Sequence, residues 1–349
     1  MNLFSRIQSE GYEQIVFCHD KSVGLKAVIS IHDSTLGPGV GGCRMYPYAS
    51  EDEAIEDVLR LSKGMTYKAS ISGLNWGGAK GIIIGDPAKD KTKALLTRYG
   101  QFVETLKGRY VTAKDVGINS DDLKIVRGET KHALGIDGVP GSSGDPSPYT
   151  SWGVYNGIKA CAEVVYGSDS LKGRTVAVQG LGSVGYYLVG HLVKEGAKVI
   201  ATDVNKASLD RAKTEFGIQV VDPKDILAAN CDILSPCAMG AIINKDTISD
   251  LKCKIVAGGA NNQLATDEDG FELMKRGITY APDYAINAGG LTNIYHEIGG
   301  YDAKKAWNHV AEIKGTIGRI LKRSNDEKVP PHRIADLMAE ERIANAKRR

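Results

Sequence analysis

Residues 14–19 and 25–32 alternate apolar and polar side chains, the period-two pattern of half-buried strands. Ser50 and Glu53 form an S-x-x-E capping pattern, and Ala54, Ile55, Val58, Leu59 and Leu61 follow at helical spacing, which predicts a helix opening near Ser50. Gly77-Gly78 reads as a chain break and 82–84 as a short buried strand. Past the turn-rich stretch Pro140-Gly-Ser-Ser-Gly-Asp-Pro-Ser-Pro148 the pattern changes character. A helix over 151–166 leads into a strand at 175–179, a helix at 184–194 and a strand at 198–202. A helix over 207–216 and short strands near 219–221, 233–234 and 254–257 come next, and 333–347 reads as a charged amphipathic helix. Strands alternating with helices in this way imply a parallel, doubly wound sheet.

The expected fold class is α/β: an N-terminal mixed α/β domain over 1–135, with 331–349 packing back on it, and a second α/β domain over 136–330. A chain of 349 residues exceeds what one core usually supports, which also favours two domains. Forty-four Lys and Arg nearly balance 42 Asp and Glu, so neither nucleic acid nor an anionic membrane is an expected partner. Lys347-Arg348-Arg349 is read as a solvated helix end. No apolar run is long enough to span a membrane, and residues 1–14 show no leader pattern. The six cysteines form no C-x-x-C pair, so no metal site is expected and reduced thiols in a cytoplasmic protein are.

Gly180-Leu181-Gly182-Ser183-Val184-Gly185 fits G-x-G-x-x-G and stands where that motif has a physical use, directly after a strand and opening a helix. The first glycine permits the tight turn, the second lets the backbone approach a pyrophosphate, and the third lets helix and strand pack closely. The free N–H groups of the helix start then face the phosphates. Asp203 ends the next strand, where a carboxylate accepts hydrogen bonds from ribose hydroxyls and repels a 2′-phosphate. The 136–330 segment is therefore expected to be a Rossmann domain that takes NAD in preference to NADP.

Three stretches in the first domain carry candidate chemistry: Gly41-Gly42-Cys43-Arg44-Met45; Gly64-Met65-Thr66-Tyr67-Lys68 with Gly73-Leu74-Asn75-Trp76-Gly77-Gly78-Ala79-Lys80; and Ala113-Lys114-Asp115-Val116-Gly117. Oxidation of an amine needs a cation to orient the substrate carboxylate and a base to activate water. A lysine serves as base only if its pKa falls to roughly 7–8, which burial and a neighbouring cation both promote. Lys68 and Lys80 together satisfy that requirement, with Asp115 exchanging protons at the substrate nitrogen. Spacing alone does not assign these roles, because two lysines twelve residues apart are usually two solvated surface lysines.

These stretches resemble the active-site signature of the Glu/Leu/Phe/Val dehydrogenase family. So do the Rossmann turn, Cys237-Ala238-Met239-Gly240, Ala260-Asn261-Asn262-Gln263-Leu264 and 281–290, and the resemblance covers almost the whole chain. It implies Lys80 as catalytic lysine, Asp115 as its acid partner and Lys68 as ligand of the α-carboxylate. It implies Gly41, Gly42, Met65 and Asn262 near the substrate. Thr150, Ala238, Asn261 and Asn287 become cofactor contacts. A cleft between the domains and a homo-oligomer, often an octamer, are implied as well. Cys43, Lys114, Ile118-Asn119 and Ile82 depart from the family's usual residues, and Lys114 is expected to add positive field beside Asp115.

The same resemblance places Val40, Ala113, Leu291 and Ile294 around the substrate side chain. All four are apolar, so a γ-carboxylate would be desolvated without a partner, at a cost of several kcal/mol. The expectation is reversible oxidative deamination of a branched-chain L-amino acid, with leucine to 4-methyl-2-oxopentanoate and ammonia favoured. Phenylalanine, tryptophan or valine is the alternative substrate, and a silent NAD-binding regulatory protein is the non-enzymatic alternative.

Overall fold

The computed structural model of the chain describes residues 3–348. Arg349, the last of the three terminal basic residues, lies outside the described residues. The chain divides into two compact units: Met1–Asp145 with Ile294–Tyr301 and Ala339–Arg349, and Pro146–Asn293 with Asp302–Met338. The division follows Asp145, inside the turn-rich stretch, and the helix Pro331–Lys347 is shared between the units at Met338/Ala339.

The first unit is built on a six-stranded mixed sheet. Its strands are β1 (Gln14–Asp20), β2 (Leu25–Asp33), β3 (Gly39–Val40), β4 (Cys43–Tyr46), β5 (Gly77–Ile84) and β6 (Tyr110–Val111). The order is β1-β2-β5-β3-β6, with β4 also on β5. β2 runs antiparallel to β5, with Ser30 opposite Lys80; β3 and β4 run parallel to it, one after the other along its other side. Strand alternation sorts the side chains onto two faces. Cys43, Met45, Ala79, Ile83 and Tyr110 pack with Leu96, Tyr99 and Val103 of the helix Lys93–Thr105. Val28 and Ile82 pack on the other face against Ala54, Val58 and Leu59 of the helix Glu51–Ile71. Each fully buried aliphatic side chain of this kind contributes about 1.5–3 kcal/mol of burial free energy.

Gly77-Gly78, read from sequence as a break, lies inside β5. A Cβ on Gly77 would strike the carbonyl of Asp33, and one on Gly78 the backbone of Thr66. The glycines therefore let β2 and the helix Glu51–Ile71 close onto the strand. The S-x-x-E pattern does cap that helix: Ser50 Oγ accepts the Glu53 N–H at 3.1 Å, while Glu53 takes the N–H of Ala49.

The second unit carries a parallel sheet in the order β12-β11-β10-β7-β8-β9. Its strands are β7 (Thr175–Gln179), β8 (Lys198–Thr202), β9 (Gln219–Val220), β10 (Ile233–Pro236), β11 (Ile255–Val256) and β12 (Thr279–Tyr280). Strand order reverses between β7 and β10, the topological switch at which open α/β sheets bind ligands. No helix among the described residues is long and apolar enough to cross a membrane. All six cysteines are free, four of them buried and Cys231 and Cys237 half-buried.

Candidate active site

Sequence reads Gly77-Gly78, just before Lys80, as a chain break; Lys80 lies instead in mid-strand, its side chain 5% exposed. Gly42 and Arg44 continue the face of β3 that carries Val40, and Val111, Ala113 and Asp115 follow one another at period two after Tyr110. The backbone ladder Gly41 N–H to Val111 C=O (3.1 Å) and Cys43 N–H to Ala113 C=O (2.9 Å) holds these two segments in register. A Cβ on Gly41 would run into the Ala79 carbonyl, and one on Gly42 into the Lys114 carbonyl and within 3.0 Å of the Asp115 Cβ. The paired glycines thus allow the backbone approach that brings Lys80, Arg44 and Asp115 together.

Lys80 Nζ donates to Asp115 Oδ2. Arg44 Nε reaches Asp115 Oδ1 at 3.2 Å, and the Val116 N–H donates to the same oxygen at 2.6 Å. Burial pushes the Asp115 carboxyl up, but the charges of Lys80 and Arg44 and the hydrogen bonds to both oxygens prevail, and its pKa lies below the ordinary aspartate value. The positive field that sequence reading assigned to Lys114 comes from Arg44: Lys114 Nζ pairs with Asp137 Oδ2 at 2.8 Å. Sequence assigns Arg44 no role, and no local pattern marks it as a partner of Asp115. Asn119, one of the departures, caps the helix Ser120–Glu129 through Oδ1, and Ile118 enters the core.

Met65 and Lys68 lie three residues apart on the helix Glu51–Ile71 and share a face of it. A Cβ on Gly41 would come within 3.3 Å of Met65 Cγ, which places Met65 over the paired glycines; Lys68 is half-buried. Val40 and Ala113 are buried, and Ile294 lies within 3.1 Å of where a Cβ on Gly135 would stand. Leu291 is buried in the second unit. Beyond the lysine helix, Arg342 ties down the turn into β5. Its Nη1 donates to the carbonyls of Leu74 (2.7 Å) and Ser70 (3.3 Å), and its Nη2 to those of Gly73 (3.1 Å) and the Asn75 side chain (2.9 Å).

In the second unit the remaining candidates gather past the carboxyl ends of the parallel strands. Gly180 adopts φ +97°, a left-handed conformation that favours glycine, and its N–H bonds to Thr202 C=O at 2.8 Å. A Cβ on Gly185 would strike the Gly180 carbonyl, whereas one on Gly182 would meet nothing within 4 Å. The helix Ser183–Glu195 begins without a side-chain cap or an acidic residue in its first turn, so Ser183 and Val184 present unblocked N–H groups. Asp203 Oδ2 accepts the Leu181 N–H at 2.6 Å and Oδ1 that of Asn205 at 2.7 Å. Ala238 adjoins Gly180 across the switch point. Asn287 Nδ2 bonds to Asn261 Oδ1 at 2.7 Å and to Gly259 C=O at 3.2 Å. Thr150 lies beside Gly290, and Asn262 is exposed with φ +51°. An open space at Gly182, a bare helix start and a carboxylate at the end of β8 fit a dinucleotide: phosphates at the first two, ribose at the third.

The family model "Glu/Leu/Phe/Val dehydrogenase, dimerisation domain" matches residues 12–132, and "Glutamate/Leucine/Phenylalanine/Valine dehydrogenase" matches 141–209 and 201–349. The chain is 51% identical over 348 residues to a leucine dehydrogenase of Bacillus subtilis, covering 100% of this chain and 96% of that one. It is 45% identical over 337 residues to a phenylalanine dehydrogenase of Bacillus thermotolerans, covering 95% and 88%. The crystal structure of L-tryptophan dehydrogenase from Nostoc punctiforme superposes with a TM-score of 0.88 at 43% identity, covering 99% of this chain and 100% of that one. With both family models matched and near-complete coverage of these relatives, the chain belongs to the Glu/Leu/Phe/Val dehydrogenase family of amino-acid dehydrogenases.

Proposed function

We propose that the protein catalyses the reversible, NAD-dependent oxidative deamination of branched-chain L-amino acids, with L-leucine the principal substrate and 4-methyl-2-oxopentanoate and ammonia the products. The observation that carries this reading is the buried Lys80–Asp115 pair opposite the Gly41-Gly42 backbone. Asp115 accepts a proton from the substrate ammonium, which frees the nitrogen lone pair that drives loss of hydride from Cα. Lys80 accepts a proton from the water that adds to the resulting iminium and returns one to the departing amine. Lys68 holds the α-carboxylate, and the Gly41-Gly42 backbone and Asn262 complete its orientation.

NAD, when bound, supplies the hydride acceptor. Gly180, Leu181, Gly182, Ser183, Val184 and Gly185 would hold its phosphates and Asp203 its ribose, with Thr150, Ala238, Asn261 and Asn287 as further contacts. Asp203→Ala is expected to weaken NAD by about tenfold or more, the scale of charge-assisted hydrogen bonds worth about 1.5–3 kcal/mol. NADP, which gains nothing from the carboxylate, should lose far less. Titration of both nucleotides by fluorescence checks this, and equal losses would remove the ribose assignment.

Apolar Val40, Ala113, Leu291 and Ile294 favour an apolar substrate side chain. Leucine stands first because leucine dehydrogenases exceed the tryptophan and phenylalanine enzymes in identity to this chain. One methylene in such a pocket discriminates by only about 1–3 kcal/mol, so valine and isoleucine should also turn over. NADH formation from each of the twenty amino acids, with NAD and NADP compared, tests the whole reading. A maximum on phenylalanine or tryptophan would shift the substrate, and NAD binding without turnover of any amino acid would defeat it. The assembly is a homo-oligomer, with an octamer the form implied by the resemblance, and sedimentation would measure it.

A further inference from the structure

Asp115 is held at both oxygens, and the two are not equivalent. Oδ1 accepts from Arg44 Nε and from the Val116 N–H, whereas Oδ2 faces Lys80 alone among its hydrogen-bond donors. Arg44 is itself fixed: its Nη1 donates to Asp57 Oδ2 at 2.9 Å. Asp57, on the helix Glu51–Ile71, is in turn held by the Tyr48 hydroxyl at 2.7 Å and by Arg60 at 2.8 Å. Side chains of Arg44 and Asp57 are 22% and 14% exposed, so this network is largely screened from water.

We propose that Arg44, anchored by Asp57 and Tyr48, is the positioning residue of Asp115: it pins Oδ1 and turns Oδ2 toward Lys80, so that Oδ2 is the oxygen that exchanges protons with the substrate amine. An oxygen already accepting two N–H donors, one of them cationic, is a poor site for a third proton. The proton therefore goes to Oδ2, in line with Lys80. The same guanidinium keeps the carboxylate ionised before substrate binds, as accepting a proton requires. The other groups facing this carboxylate do not compete. Cys43 and Tyr110 feel its charge, but burial pushes the Cys43 thiol up to about 12 and raises the Tyr110 phenol as well. Lys114 is turned to Asp137, and Lys91 to Asp122 and the Gly117 carbonyl.

The inference rests on the proposed deamination, and its test separates the two. Wild-type NADH formation from leucine comes first and judges the activity alone. In Arg44→Gln the acid limb of the kcat/KM profile, which reports the coupled Lys80–Asp115 pair, should rise by about one pH unit, with kcat down roughly tenfold or more and NAD affinity unchanged. In Asp57→Asn, loss of a negative charge behind Arg44 should move the acid limb the other way. Arg44→Lys, which keeps the charge but not the fork, should retain the wild-type limb with reduced kcat. Opposite shifts in the first two variants support the assignment. Shifts in one direction, or profiles that superimpose on wild type with kcat merely scaled, overturn it and leave Arg44 a packing residue. A readout without substrate accompanies these: the melting-temperature difference between wild type and Arg44→Gln should be larger at pH 7 than at about pH 2.5, well below the ordinary aspartate pKa, and a constant difference overturns the proposal even if no amino acid turns over.

Discussion

Lys80→Ala is expected to reduce amino-acid oxidation by about 10³-fold or more, at the strong end of what a general base contributes, while NAD affinity stays unchanged. The expectation follows from where the side chain sits. Lys80 is buried in the middle of β5, with Ser30 across the antiparallel pairing and Asp115 at its ammonium group. Alanine keeps the strand and removes the one lysine that is buried among the described residues. The residues proposed to hold the dinucleotide belong to the other unit, so nucleotide binding is expected to stay unchanged. Stopped-flow measurement of NADH formation beside a nucleotide titration checks both halves. Near-normal turnover would remove Lys80 from the mechanism.

The second large effect is expected from Asp115→Asn. The substitution preserves shape but cannot accept a proton from the substrate ammonium, and kcat should fall by about 10²–10⁴-fold. Stability should change too, because Lys80 and Arg44 would face each other without the charge between them. Breaking a buried pair from one side costs about 3–5 kcal/mol, and the cost here is smaller because Arg44 keeps Asp57. Its sign with pH follows from the depressed pKa of Asp115. The ionised carboxylate contributes stability that is fully present above the unfolded-state aspartate pKa and is lost as pH falls through the lower folded-state pKa. Wild type should therefore exceed Asp115→Asn in melting temperature at neutral pH, with the gap closing in acid. A gap that stayed constant with pH would show that the charge of Asp115 contributes nothing to the fold.

The pattern of polar and apolar positions carried the parallel sheet well. β7 and β8 fall where sequence places them, with the glycine-rich turn directly after β7 and Asp203 just past β8. The first unit was less legible. β3 and β6 are two residues each and β4 four, too short for a period to emerge. Gly77-Gly78 looked like punctuation because glycine breaks local structure, yet tertiary closeness put both glycines inside a strand. Arg44 was silent for another reason. Its partners lie 13 and 71 residues away along the chain, and nothing local distinguishes such a cation from a solvated one. Lys114 was misread for the converse reason: adjacency in sequence suggested a neighbour of Asp115, whereas its ammonium turns to Asp137.

The grip of Arg342 on Ser70, Gly73, Leu74 and Asn75 has a bearing on how the molecule is made. These four residues bridge the helix of Lys68 and the strand of Lys80, and they leave the ribosome more than two hundred and sixty residues before the guanidinium that binds them. Until that late arrival, the carbonyls of Gly73 and Leu74, just past the helix end, must rely on water, whereas that of Ser70 already accepts the Gly73 N–H. The turn between these two elements thus gains its last anchor only after the strands and helices of the second unit have been made, and the nascent polypeptide carries it untied through that whole interval.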